Sequence, residues 1–358
     1  MAFALDLSDL SAKFLLLKKK GKFFEVVSFG EQKIKEGILR EGVIKNEEKL
    51  AEILKEGKKN VKGKKISTNY CFATLPEEKA FFFTFELPKM KPEDLRSALV
   101  YQVENAVPLP AHKIYFDFEV VEEREKNLKV LIGAMEKEIV DSYLSTLKKA
   151  GFFPLALEVE CQSIQRALIP QTTEQKETLL ILDLGATKTT LVLLIKNKIA
   201  LTKSIPIGGN LFDQQIAKSL KIKKEEAEKL KMKYGLGEEL AIKFSEKEVE
   251  KTFIKNRIFE ILIPSLTSLV EETKVFLDFF QTHYDGKISP EEKKISKVII
   301  SGGQAQMVGL KEFLETELNL PIEVGNPAIN SVKFPKSEEF KGLSYATAVG
   351  LALRNFYD

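Results

Sequence analysis

The sequence predicts an α/β fold of two related lobes facing each other across a cleft, on three observations. The stretch LLILDLGATKTTLVLL (Leu179–Leu194) sets two apolar, β-branched runs around a small-residue turn, the pattern of a strand pair with a tight hairpin. The N-terminal ALDLSDLSAKFLLL superposes on ILDLGATKTTLVLL, so that Asp6 meets Asp183 and Lys13 falls near Thr190. A chain of 358 residues also exceeds what one compact core holds.

The elements follow in order. Phe3–Leu5, Ala12–Leu17 and Phe23–Phe29 form a β-meander, with Lys18-Lys19-Lys20-Gly21 as its second turn. Residues 45–63 read as a helix with Leu50, Ile53 and Leu54 on one face, and 70–86 return to strand. Pro92 opens a helix through Val103, since a proline fits the first helical turn. YFDFEVV and LKVLIGAME make a strand pair, 137–150 an amphipathic helix ended by Gly151, Pro154–Val159 a strand and Ser163–Leu168 a short helix. After the second hairpin, ALTKSIPIGG is a third strand running into Gly208-Gly209. Helices follow at 210–220 and 223–233, and a long one spans Leu262–Tyr284 with Leu266, Leu269, Val270, Phe276, Leu277 and Phe280 as its core stripe. A strand at Lys297–Ile300, a helix at Leu310–Leu318, a strand at Pro321–Val324 and a helix at Ser344–Arg354 close the chain. The first lobe is expected at 1–178, with an α+β insert at about 80–152. The second lobe is expected at 179–358, with an outer part at about 216–258 and a C-terminal helix, 344–355, that returns to the first lobe.

Composition excludes several classes. At 44% hydrophobic and 30% charged, the chain reads as an ordinary globular protein and not a disordered one, no apolar run reaches the roughly 18–20 residues of a membrane span, and its formal charge of +3 demands no nucleic-acid partner. Cys71 and Cys161 make neither a disulfide framework nor a zinc site, and the N-terminus lacks a secretory pattern, so a reducing cytoplasm is expected. His112 and His283 belong to no metalloprotease or hydrolase motif, and no Walker loop is present. The basic clusters Lys18–Lys22 and Lys58–Lys65 read as solvated turns, with contact to anionic lipid as the alternative.

The two hairpins carry the chemistry. Asp183 stands where strand meets turn, Gly185 lets backbone N–H groups approach a ligand, and Thr187 and Lys188 add donors and charge, a way to hold phosphate. Two facing carboxylates, Asp6 and Asp183, could hold a hydrated Mg²⁺ between phosphates. Gly208-Gly209 permits a close backbone approach or a simple turn. Glu228 and Lys231, three apart, share a helix face.

These segments resemble the actin-like ATPase superfamily, which also contains actin, Hsp70, sugar kinases and FtsA. The two phosphate hairpins would be Asp6–Lys13 and Asp183–Thr189, and the adenosine motif VIISGGQAQMVGL (Val298–Leu310). IPIGGNLFDQQIA, the EEAEKLK helix, LPIEVGNP and YATAVGLALR narrow the resemblance to the PilM family of type IV pilus assembly proteins. It implies a two-lobed actin-like (ribonuclease H-like) fold. It implies ATP held through the backbone of Gly185, Ala186 and Thr187, with Lys13 in the partner hairpin. Asp6 and Asp183 would hold Mg²⁺ through water, Glu228 and Lys231 would flank the ribose, and Gly302-Gly303 would give a flat platform for adenine. Ser8 stands where the family has glycine and cannot take a positive φ cheaply, and Asp9 is expected to repel phosphate. No residue reads as a catalytic base, so hydrolysis is not assigned. The resemblance also implies a scaffold on the inner-membrane pilus platform, self-associating or not. The short N-terminus of a PilN-like membrane protein would bind between insert and first lobe, with Phe81, Phe82 and Phe83 as candidate lining. The alternatives are an FtsA-like division protein, which would need an amphipathic tail after Arg354, and an actin-fold kinase, which would need a positioned base.

Overall fold

A computed structural model describes residues 1–171, 177–236, 246–284 and 288–357. The first half runs β1 (Phe3–Ser8), β2 (Ser11–Lys20), β3 (Phe23–Lys33), β4 (Leu39–Arg40), β5 (Val43–Ile44), α1 (Glu47–Lys59), β6 (Lys62–Gly63) and β7 (Tyr70–Leu75). It continues with β8 (Ala80–Pro88), α2 (Pro92–Ala106), β9 (Ile114–Glu123), β10 (Asn127–Glu136), α3 (Lys137–Lys149), β11 (Phe153–Val159) and α4 (Glu160–Leu168). The second half runs β12 (Thr178–Leu184), β13 (Thr189–Ile195), β14 (Lys198–Ile205), α5 (Gly209–Leu220), α6 (Lys224–Tyr234), α7 (Glu246–His283), β15 (Ile295–Ser301), α8 (Leu310–Leu318), β16 (Ile322–Val324), β17 (Val332–Lys333) and α9 (Ala346–Tyr357).

The repeat seen in the sequence is a repeat of topology. One sheet is ordered β3-β2-β1-β7-β11 and the other β14-β13-β12-β15-β16. In each, an antiparallel meander is followed by two strands parallel to its first strand. The hairpins match in register as well: Asp6 lies opposite Lys13, and Asp183 opposite Thr190.

Strand β12 is apolar from Leu179 to Leu182 because both its faces are covered there. Leu179 and Ile181 join the core shared with the first lobe, while Leu180 and Leu182 face the core built on α5, α7 and α8. Helix α9 crosses from the second half to pack on β1, β2 and α4. A Cβ on Gly350 would stand 1.8 Å from the Ser163 carbonyl oxygen, so the α4–α9 crossing depends on that missing atom.

The insert is a β8-β10-β9 sheet with α2 over a small core of its own. Phe81, Phe83 and Phe85 turn to that core, and Phe82 turns to the first lobe, as the period of two requires.

Several element boundaries differ from the sequence reading, and two of the differences have a clear physical reason. The helix expected at 45–63 is α1, capped at Asn46, whose side chain accepts from the Lys49 N–H; Lys62-Gly63 then pair with β3 instead. The long helix begins at Glu246 rather than Leu262. Its first turns are rich in charge, but Ile258 continues the Leu262 and Leu266 stripe one turn upstream and is fully buried, so periodicity reached further than the sequence reading took it. The expected outer part of the second lobe, 216–258, lies partly outside the described residues.

Candidate functional site

The two Asp-bearing hairpins, α4, α6, the turn after β15 and the segment before α9 enclose a cavity of about 250 Å³ between the halves. Ten of the thirteen residues singled out in the sequence line it: Asp6, Lys13, Asp183, Gly185, Ala186, Thr187, Lys188, Glu228, Gly302 and Gly303. Asp6 and Asp183 sit on neighbouring hairpins at its floor, and the Lys13 Nζ is 3.7 Å from an Asp6 carboxylate oxygen. Burial, together with the negative charge of Asp6, pushes Asp183 up to about 6. Burial also raises Asp6, against the pull of Lys13. Burial works against the Lys13 charge, but Asp6, Glu31, Asp183 and Glu160 outweigh it and raise its pKa. The floor therefore carries more negative charge than its lysines balance. A hydrated divalent cation would relieve that imbalance. Among the described residues no group of three or more His, Cys, Asp or Glu could hold a metal ion directly.

The glycines act in different ways. Gly302 has φ +84°, and a Cβ there would stand 2.4 Å from the Leu184 carbonyl oxygen, so the turn after β15 presses onto the end of β12. Gly208 and Gly209 do not line the cavity. A Cβ on Gly208 would stand 2.7 Å from both the Ala186 carbonyl oxygen and the Lys188 nitrogen. The Gly209 and Asn210 N–H groups donate to the Gly185 and Ala186 carbonyls at 3.0 and 2.8 Å. This pair holds the back of the Gly185–Lys188 loop, so the close approach is to the loop itself.

Lys231 also faces away from the cavity. On α6, Glu228 and Met232 form one i, i+4 stripe toward the cavity, whereas Ala227 and Lys231 form the buried stripe. The Lys231 ammonium is fully buried, 2.7 Å from Asp213 and 3.2 Å from the Gly209 carbonyl. Lys188 lines the cavity, but its ammonium is bound by Glu78 and, at 2.8 Å, by Glu160 of the first half.

The expectation for the first hairpin is corrected. The Asp9-Leu10 turn closes between Ser8 and Ser11 without a positive φ, so the Cβ of Ser8 is no obstacle. The Asp9 carboxylate turns out of the cavity and accepts from the Glu41 and Gly42 N–H groups at 2.9 and 3.1 Å. Those two residues have left-handed φ in the β4–β5 turn, which aims both donors at Asp9.

Sequence reasoning missed Glu160, Glu31 and Gln304, which also line the cavity. Burial, helped by Glu78 and Asp6 and opposed by Lys188, pushes Glu160 up to about 8. A signal existed: Glu160 follows the C-terminal end of a parallel strand, where open α/β sheets bind ligands.

A second cavity, of about 490 Å³, separates the insert from the first-half sheet. Phe82, Leu131, Met135, Val140 and Leu157 give it an apolar wall. Its polar floor is Glu158, bonded to Ser163, to Arg166 (2.6 and 3.0 Å) and to Arg354 (2.7 Å). Of the three phenylalanines singled out, only Phe82 lines it.

The comparisons with known proteins agree with this geometry. The chain is similar to the solved PilM-PilN type IV pilus biogenesis complex, with a TM-score of 0.79 at 24% identity over 99% of this chain and 98% of that one. It is similar in fold to MreB 5 of Spiroplasma citri, solved bound to AMPPNP, with a TM-score of 0.53 at 15% identity over 97% and 93% of the two chains. The cell division protein FtsA of Neisseria meningitidis serogroup B is 26% identical over 183 residues, 48% of this chain; the match spans 41% of that protein's length. These neighbours confirm the two-lobed actin-like α/β fold. The profile of the family described as Type IV pilus assembly protein PilM matches residues 4–356, and the chain belongs to that family.

Proposed function

We propose that this protein binds a nucleoside triphosphate with Mg²⁺ between its two Asp hairpins and serves as a scaffold of the type IV pilus assembly platform. The observation that carries the reading is the pairing of Asp6 and Asp183 at the floor of one cavity, beside a loop whose backbone is held open by Gly208. Gly185, Ala186 and Thr187 would meet the phosphates, Lys13 and Lys188 would supply positive charge, and Asp6 and Asp183 would hold hydrated Mg²⁺. Glu228 would meet the ribose and Gly302-Gly303 the base, with Gly208, Gly209 and Lys231 supporting from behind. MreB 5, of the same fold, was solved with AMPPNP, which supports an adenine nucleotide.

The groove beside Phe82 would take the N-terminal peptide of a PilN-like membrane protein, as the likeness to the PilM-PilN complex suggests. Among the described residues no helix is long and apolar enough to cross a membrane. The same reading has the protein in the cytoplasm, peripheral to the inner membrane through its partners, other platform proteins included, and not on nucleic acid. Lobes at 1–178 and 179–358, with the insert at about 80–152, are part of the same reading.

Isothermal titration with Mg-ATP and with a PilN N-terminal peptide tests it. Saturable binding of both is expected, the first lost in Asp183→Ala. Absence of nucleotide binding at millimolar ATP overturns the nucleotide reading, and absence of peptide binding overturns the scaffold reading.

A further inference from the structure

We infer that the end of the first-half sheet remote from the cleft is a contact surface for an anionic lipid bilayer. The β2–β3 turn presents Lys18, Lys19, Lys20 and Lys22, all exposed, on one hairpin tip. Glu25 answers Lys20 at 3.8 Å, with the lysine side chain largely in solvent and the glutamate half-buried. Lys333 adds a further ammonium, 3.8 Å from the centre of the Phe23 ring.

Apolar side chains share this end. Phe23 is 44% exposed at the tip, and Tyr357, at the end of α9, is 41% exposed and packs its ring 5.9 Å from Phe24. On the other side of the sheet, Tyr70 and Phe153 begin β7 and β11, pair their rings at 5.9 Å, and are 54% and 56% exposed.

Strand direction places them together. β1, β7 and β11 run parallel, so their first residues lie at one end, and the β2–β3 turn lies at that same end because β2 runs antiparallel to β1. Four strand spacings separate β3 from β11, which makes the footprint about 19 Å wide. Amphipathic rings at both sides of a lysine-rich tip match a headgroup layer: the rings enter the interface and the ammonium groups meet lipid phosphates. A polyanion without an apolar layer would leave the exposed aromatics unused. This inference does not rest on the nucleotide or peptide reading.

Vesicle flotation of the full chain tests it, with phosphatidylglycerol vesicles against phosphatidylcholine vesicles. Binding to the anionic vesicles alone, weakening as salt is raised, is expected. The triple variant Lys18→Glu/Lys19→Glu/Lys20→Glu should lose about 100-fold or more in partitioning, at roughly a factor of five per lysine removed and more on reversal. Phe23→Ser/Phe153→Ser should lose the part of the binding that survives high salt. All substituted residues are exposed, and unchanged melting of the variants confirms folding. Binding by the charge-reversed protein equal to wild type, equal binding to neutral vesicles, or binding of RNA but not of anionic vesicles overturns the inference.

Discussion

Asp183→Asn is expected to stabilise the ligand-free protein at neutral pH, and the size follows from its site. Asp183 is buried at the cavity floor beside Asp6, and its pKa rises from 3.8 to about 6. A group raised above its unfolded value contributes stability that is fully present below the unfolded pKa and is lost as pH rises through the folded one. The window is therefore between about 4 and about 6. Above it the folded state carries the cost of a buried charge that the unfolded chain lacks. Two pKa units at about 1.4 kcal/mol each make that cost about 3 kcal/mol at pH 7.5. Asparagine keeps the shape and carries no charge beside Asp6, so the variant should gain up to about 3 kcal/mol at pH 7.5 and nothing near pH 3.5. Urea denaturation of both proteins across this range measures the difference. A destabilised variant at pH 7.5, or a difference independent of pH, refutes the argument that Asp183 is held charged against its environment. Thermal stabilisation by Mg-ATP should fall in the same variant, since the carboxylate that would face the hydrated ion is gone.

Other perturbations test the supporting framework. Lys231→Met leaves the buried Asp213 carboxylate without its ammonium and should cost about 3–5 kcal/mol in urea melts, while Lys231→Met/Asp213→Leu recovers most of it. Gly350→Ala forces a Cβ against the Ser163 carbonyl and should cost about 3 kcal/mol by overpacking, with α9 detaching first in hydrogen exchange. Phe82→Ser should weaken PilN-peptide binding about tenfold in fluorescence anisotropy without changing the melting of the insert; Phe83→Ser should do the reverse, because its ring faces the α2 core. Lys188→Met leaves Glu78 and Glu160 facing each other. Glu160, already raised to about 8, then rises further, so the variant's deficit in urea stability should be level up to about pH 8 and grow above it, where the wild type releases the Glu160 proton and the variant keeps it; a deficit that does not grow above about pH 8 counts against the pairing.

Most of the architecture was legible because it rests on periodicity and repetition. The superposition of Asp6 on Asp183 needed only the spacing of apolar runs, and the register bears it out. Three features were not legible. The direction of Asp9 depends on the β4–β5 turn, more than 30 residues away in sequence, whose two left-handed residues create the donors. The side of α6 to which Lys231 turns depends on where Asp213 lies on α5, because residues three apart are 60° apart on the helix and can serve opposite neighbours. Glu160 escaped because a lone carboxylate in LEVECQ has no local pattern; it becomes recognisable only when β11 is known to be parallel and to end at the cleft.

The two cavities meet at one point of the chain, where β11 gives way to α4. Glu158 closes the floor of the groove beside Phe82, and Glu160, two residues on, lines the cavity between the hairpins. Each is tied to a different part of the molecule. Glu158 is held by Arg166 of α4 and Arg354 of α9, and Glu160 by Lys188 of the second-half loop. A polyphosphate entering the cavity meets a Lys188 whose charge is already shared with Glu78 and Glu160. It must draw the ammonium away from them or add to a network in which Glu160 is protonated near pH 8 and below. Either response would change what holds the Glu160 side chain, on the first residue of α4. That helix also carries Ser163 and Arg166, which hold Glu158 in place, so the strand–helix junction is the shortest covalent path between the two sites.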